Sequence, residues 1–277
     1  MIRIPENLST KFSYMVNKLK IPSTQFITPG AKLYSFFSVK NCYLCDEKIN
    51  NRPYFCDDCY HDLPKLKTKC SNCCLPLELE QYDSFSIHLL CGECICNPPS
   101  FSQTFCAYEY QFPINQIIRS IKYSKQRYWI RPLSHYLADE IALSLLHSNH
   151  FKRPDILIPI PMHKSKVKIR GFNQAELIAN ILSKKLHVPI SNKTLLKTKS
   201  TETQAQLNKD ERMRNLEGSL SISNKKSKRD FIQGKYIALV DDVMTTKATC
   251  ELASKLLLAA GAGQVDIWCL ARTPKRK

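Results

Sequence analysis

Apolar and polar positions along the chain follow two rhythms. Unbroken apolar runs of about four to eight residues read as buried strands, and apolar residues recurring every three or four positions read as helix faces. Strand-like runs cover residues 105–110, 155–161, 236–240 and 264–271. Between them lie helical stripes. Ile114, Ile117, Ile118 and Ile121 make the first. Leu133, Leu137, Ile141 and Leu145 make the second, behind Pro132, which suits a first helical position. Ala175, Ile178, Ile181, Leu182 and Leu186 make the third, and a fourth runs from the threonines of residues 245–249 to Ala260, where Gly261 stops it. Near the start, Phe12, Met15, Val16 and Leu19 fall at helical spacing until Pro22, predicting a short amphipathic helix that docks on the body, with a membrane or partner role as the alternative. Strands and helices in alternation predict an α/β fold, a parallel sheet flanked by helices. Ligands of such sheets bind at the carboxyl ends of the strands.

Composition adds charge to this picture. The 277 residues suffice for one ordinary domain and a smaller one, with 43% apolar residues to fill a core. The formal net charge is +17. That balance favours a polyanionic partner or a membrane surface over an acidic small molecule, and nucleic acid over charge that serves only solubility. Basic runs at residues 224–229 and 274–277 fit phosphate-backbone contacts, although such runs are often merely solvated. No apolar run reaches the ~18 residues of a membrane span. The opening residues lack the pattern of a signal peptide, so a cytoplasmic location is expected.

Thirteen cysteines could suggest a disulfide scaffold, but eleven of them lie between Cys42 and Cys106 and most form C-x-x-C pairs. Cys42 and Cys45 precede Cys56 and Cys59 by a ten-residue gap; Cys70 and Cys73 precede Cys91 and Cys94 by a seventeen-residue gap. Two four-thiolate sets of this spacing predict two structural Zn2+ ions, closed to substrate. Metal would supply folding free energy that so polar a segment cannot draw from a core. Iron–sulfur or redox chemistry is the alternative. The pairing between the sets is sequential or crossed, and Cys74, Cys96, His61 and His88 are available as substitutes.

The strand at residues 236–240 ends in adjacent carboxylates, Asp241 and Asp242, then a turn with Thr245, Thr246 and Thr249. N–H groups at a helix start, with hydroxyls beside them, seat a phosphate. Carboxylates just upstream suit sugar hydroxyls or a hydrated Mg2+. Together they predict a site for a phosphorylated sugar. A Walker B strand also ends in acids, but the GxxxxGK[ST] loop it requires is missing from the sequence. The strand at residues 155–161 runs into a rigid proline loop of Pro159, Ile160, Pro161 and Met162. The loop continues through His163, Lys164, Lys166, Lys168 and Arg170, positive charge for a pyrophosphate or for the phosphates of DNA. Gly171 then permits a tight turn, and Asn173 can cap the next helix.

Residues 236–249 resemble the phosphoribosyl pyrophosphate (PRPP) motif of type I phosphoribosyltransferases. The resemblance implies that Asp241 and Asp242 face the ribose, that Thr245, Thr246, Ala248 and Thr249 seat the 5′-phosphate, and that Mg2+ accompanies PRPP. Lys247 stands where the motif has a small residue, usually glycine. It either adds charge to the phosphate seat or fills space the backbone needs.

The order of double C-x-x-C pairs, Pro-Ile-Pro, Arg-Gly-Phe-Asn-Gln, a Gln-rich segment at residues 203–215 and the PRPP motif resembles the ComF family, the ComFC competence proteins and their GntX-like relatives. The resemblance covers about residues 42–273. It implies an extension at residues 1–40, a double zinc-ribbon module at residues 41–99 and a phosphoribosyltransferase-like domain at residues 100–277. Pro159 to Met162 would form the pyrophosphate loop. The implied role is DNA uptake in natural transformation, with single-stranded DNA, a PRPP-type ligand and other competence proteins such as a DNA-uptake helicase as partners. An active phosphoribosyltransferase and a zinc-dependent adaptor are the alternatives.

Overall fold

The computed structural model describes residues 41–49, 52–77, 89–147, 152–199 and 218–275. The helical pattern expected before Pro22 and the Gln-rich segment at residues 203–215 lie outside them. In chain order the elements are α1 (Asp57–His61), α2 (Gly92–Cys96), β1 (Thr104–Glu109), α3 (Ile114–Tyr123), α4 (Ile130–His147), β2 (Ile156–Pro159), α5 (Lys164–Arg170) and α6 (Gln174–Leu186). Then follow β3 (Leu195–Lys197), β4 (Leu220–Ile222), α7 (Lys226–Asp230), β5 (Tyr236–Met244), α8 (Ala248–Ala259) and β6 (Gln264–Arg272).

The chain forms two compact units: Met1–Pro64 with Gln111–Pro132, and Lys65–Tyr110 with Leu133–Lys277. In the first, α3 buries the expected stripe of Ile114, Ile117, Ile118 and Ile121. Tyr43 lies among Tyr54, Tyr128 and Trp129, with ring centroids 5.5, 6.2 and 5.9 Å away.

The second unit is built on a four-stranded, all-parallel sheet of order β1-β6-β5-β2. A parallel sheet is covered on both faces, which is why its strands read as largely apolar runs. Ile156, Ile158, Ile237, Leu239, Val265, Ile267 and Cys269 share one core with Ala253 and Leu257 of α8 and with four cysteines, Cys70, Cys73, Cys91 and Cys94. The residues between them, Leu157, Ala238, Val240 and Trp268, point to the opposite face and are equally buried. Helix α6 runs along β2 and β5 and buries Ile178, Ala179 and Leu182. Strands β3 and β4 make a separate antiparallel pair. This is the expected α/β architecture of a parallel sheet with flanking helices and cysteine-rich sets.

Three local expectations differ. Strand β5 does not end at Val240 but continues through both acids to Met244, because β6 keeps pairing with it as far as Arg272. The basic stretch after Met162 is a helix, α5, capped by His163 and ended by Gly171 in the left-handed conformation (φ 87°). Pro132 is the third residue of α4, still within the first turn, where no intrahelical N–H bond is lost.

Candidate functional site

The acids and threonines meet at the carboxyl edge of the sheet, where β5 passes into α8. Asp241 and Asp242 are half-buried strand residues, and Asp241 Oδ1 accepts the N–H of Asp242 at 2.8 Å. Neighbouring strand side chains point apart, so the two carboxylates present themselves to different surroundings. Thr245 is exposed, Thr246 and Thr249 half-buried, and Ala248 opens the helix. Strand β2 pairs with β5, setting Pro159 beside Val240, and Ile160 N donates to Val240 O at 2.9 Å. Pro159, Ile160, Pro161 and Met162 therefore leave the sheet next to Asp241. Asn173 fixes this loop from behind: its Nδ2 donates to Ile160 O at 3.0 Å, and its Oδ1 accepts from Ala175 N as the cap of α6.

The basic residues of α5 do not form one row. Lys164 and Lys168 are exposed and four apart, on one side; Lys166 and Arg170 are half-buried and four apart, on another. Arg170 donates to Gln174 Oε1 at 2.8 Å. Lys197, which the sequence did not single out, joins this edge. Burial pushes its pKa down, Lys166 adds to that shift, and Asp241 opposes it. Its sole sequence signal was a lysine closing the short apolar strand β3.

Lys247 sends its side chain to a cysteine set, a destination that neither expectation named. Its backbone is left-handed (φ 65°), the conformation that a glycine would take without strain. Its side chain is 9% exposed, with Nζ 3.7 Å from Cys94 Sγ and 3.4 Å from Glu93 Oε2. Arg272, also buried, ties the same turn from its other end. Its Nε donates to Cys73 O at 2.9 Å, and its Nη1 to the carbonyls of Met244, Thr245 and Thr273. The turn is thus anchored to two members of one cysteine set.

The eight paired cysteines assemble sequentially. The Sγ atoms of Cys42, Cys45, Cys56 and Cys59 lie within 4.8 Å of one another, as do those of Cys70, Cys73, Cys91 and Cys94. A tetrahedral site with metal–sulfur bonds of about 2.3 Å spaces its sulfurs ~3.8 Å apart. Cys45 to Cys56 and Cys73 to Cys91 are both 3.6 Å, so each set fits one metal ion. One thiol of each set is drawn down towards the thiolate: Cys42 by a hydrogen bond from Cys59, and Cys70 by one from Cys73, each against the effect of burial. Cys74 stands apart, its thiol donating to Thr104 O at 2.8 Å, and Cys96 is exposed. Among the described residues no helix is long and apolar enough to cross a membrane.

No protein-family model matches the chain. It is 30% identical to the DNA utilization protein YhgH of Escherichia coli K12, over 84% of this chain and 96% of that protein. It is 31% identical to competence protein F of Haemophilus influenzae, over 83% and 90%. Among solved structures it is similar to adenine phosphoribosyl transferase of Trypanosoma brucei, at 11% identity and a TM-score of 0.34, over 58% of this chain and 68% of that one. With identity of this level along nearly the whole of both curated relatives, the chain belongs to the ComF family.

Proposed function

We propose that this chain is a cytoplasmic DNA-uptake protein that handles single-stranded DNA and carries a PRPP-type ligand site at the carboxyl edge of its sheet. The names of the relatives support the DNA role, and the +17 charge suits a polyanion. The observation that carries the ligand reading is the meeting of Asp241 and Asp242 with the Thr245–Thr249 turn and the Pro159–Met162 loop. Asp241 and Asp242 would take the ribose hydroxyls, with the hydrated Mg2+ that accompanies PRPP. The start of α8, a twelve-residue helix, offers N–H groups and the Thr246 and Thr249 hydroxyls to the 5′-phosphate. Lys197, which feels the charges of both Asp241 and Lys166, would help to balance a pyrophosphate.

Each cysteine set would hold one structural Zn2+, which supplies folding energy and no open coordination position. A four-thiolate zinc site keeps two net negative charges, and Lys247 answers part of that charge in the second set. Residues 1–40, 41–99 and 100–277 would be the extension, zinc module and ligand-binding domain by role, whereas the compact units divide the chain after Pro64, Tyr110 and Pro132.

The test is genetic. A strain deleted for this chain should lose transformation while purine and pyrimidine growth stay normal, and the Asp241→Asn, Asp242→Asn double variant should fail to restore it. A nucleotide requirement in the deletion strain would instead identify a biosynthetic phosphoribosyltransferase.

A further inference from the structure

In the first unit, the segment Gln111–Pro132 holds five cations, Arg119, Lys122, Lys125, Arg127 and Arg131, and no Asp or Glu. The acids among the unit's other described residues, Asp46, Glu47, Asp57, Asp58 and Asp62, all lie in the cysteine-bearing segment. The acids are therefore confined to the cysteine-bearing segment, which also holds Lys48 and Arg52, and the helical segment is purely basic.

Two large rings lie in water within that basic segment. Tyr123 is 75% exposed and Tyr128 44%. Tyr123 continues the outer face of α3, following Gln116 and Arg119 at spacings of seven and four residues. Tyr128 is held in place from beneath: it rests on Trp129 (5.2 Å, 35° between planes) and beside Tyr43 (6.2 Å, 45°). Tyr43 is itself fixed edge-on against Tyr54 at 83°. A ring already ordered by its neighbours loses little freedom when a flat partner stacks on it. Lys125, Arg127 and Arg131, within three residues of it in sequence, are exposed.

Exposed aromatic rings set among cations are the means by which proteins hold unpaired nucleic acid: bases stack on the rings and the cations follow the phosphates. A duplex hides its base faces and would leave the rings unused. We propose that Tyr123 and Tyr128, with Lys125, Arg127 and Arg131, form a binding surface for single-stranded nucleic acid. The assignment rests on the DNA-handling function above and places the strand on this surface in addition to, or in place of, the basic helix α5.

The experiment is anisotropy of a labelled oligothymidine of about 20 nucleotides, longer than the usual site for one module, titrated with the zinc-loaded full chain over a range of salt. Tyr123→Ala with Tyr128→Ala should weaken binding at least about thirty-fold, the loss of two stacked bases, with the salt slope unchanged. Arg127→Gln with Arg131→Gln should instead flatten the slope of log affinity against log salt by about 1.4, ~0.7 for each lost phosphate contact. Because Tyr128 packs on Trp129, Tyr123→Ala alone serves as the variant that leaves the unit's packing intact, and it should weaken binding about five-fold or more. If the unaltered chain binds the oligomer and both tyrosine variants bind it within twofold of that affinity, the surface assignment is overturned while DNA binding stands. If the unaltered chain binds no single strand, the assignment and the DNA reading fall together.

Discussion

Lys247→Gly sets two opposed contributions against each other. A lysine held at φ 65° carries left-handed strain of about 1–2 kcal/mol, which glycine would relieve. Glycine also removes an ammonium lying 3.7 Å from Cys94 Sγ and 3.4 Å from Glu93. A charge-assisted hydrogen bond of this kind contributes about 1.5–3 kcal/mol. The lost stem has four methylenes, each worth up to ~0.8 kcal/mol when buried. The net effect is a loss of roughly 2–4 kcal/mol, which lowers the melting temperature by about 5–15 °C for a chain of this size. Lys247→Met keeps the stem and loses the charge alone, so it should fall short of the glycine variant in damage by about the buried-methylene contribution less the strain relieved. Calorimetric melting and the rate of zinc release to a chelator read both variants. A glycine variant that melts at or above the unaltered chain, with unchanged zinc release, would refute the reasoning. Glycine should not tighten PRPP binding either, because the lysine side chain runs to Cys94 and not across the phosphate seat. Tighter binding in that variant would show that the residue obstructs the seat after all.

Metal analysis of the purified chain should find two zinc ions, and Cys42→Ser or Cys91→Ser should each lose one. Only Cys91→Ser should also weaken PRPP binding, since Lys247 and Arg272 tie that set to the Thr245–Thr249 turn; equal loss in both variants would break that link. Tyr236→Phe removes a hydroxyl that donates to the buried Asp266 carboxylate, whose pKa is raised by burial and pulled back by Tyr236, Gln103 and Gln264. The variant should therefore cost about 1.5–3 kcal/mol where Asp266 is ionised in both proteins, and the cost should fade as pH drops through that raised pKa; denaturant melts showing a pH-independent difference would contradict it. Replacing Lys164, Lys166 and Lys168 together by Gln should flatten the salt dependence of DNA binding by less than three phosphate contacts would, because the half-buried Lys166 faces away from the other two; a slope change for three full contacts, about 2.1, would overturn that geometry.

Much of the fold was legible because a parallel sheet makes its strands apolar on both faces. β2 and the first half of β5 are solid apolar runs, β6 is interrupted inside only by Asp266, and the stripes of α3 and α6 have the spacing of a helix with one buried side. The cysteine sets were legible for a chemical reason: paired thiols at these gaps have few other uses. The extent of β5 was hidden because the acids after Val240 look like a loop, and only their pairing with β6 makes them strand. α5 was hidden because its alternating lysines carry no apolar stripe, and its caps, His163 and Gly171, do the defining. Lys197, Arg272 and the destination of Lys247 were invisible because each depends on segments distant in sequence. Arg272 follows an apolar strand and looks like the start of the basic tail, yet it is buried against Cys73, 199 residues earlier.

The claim at the centre of the account is a PRPP-type site on the Asp241–Thr249 turn. Titration calorimetry of PRPP with Mg2+ into the zinc-loaded chain, compared with the Asp241→Asn, Asp242→Asn variant, tests it most directly. Saturable binding at one site per chain is predicted, abolished in the double variant while its melting temperature and zinc content stay unchanged. No binding to the unaltered chain, or equal binding to both proteins, would contradict it.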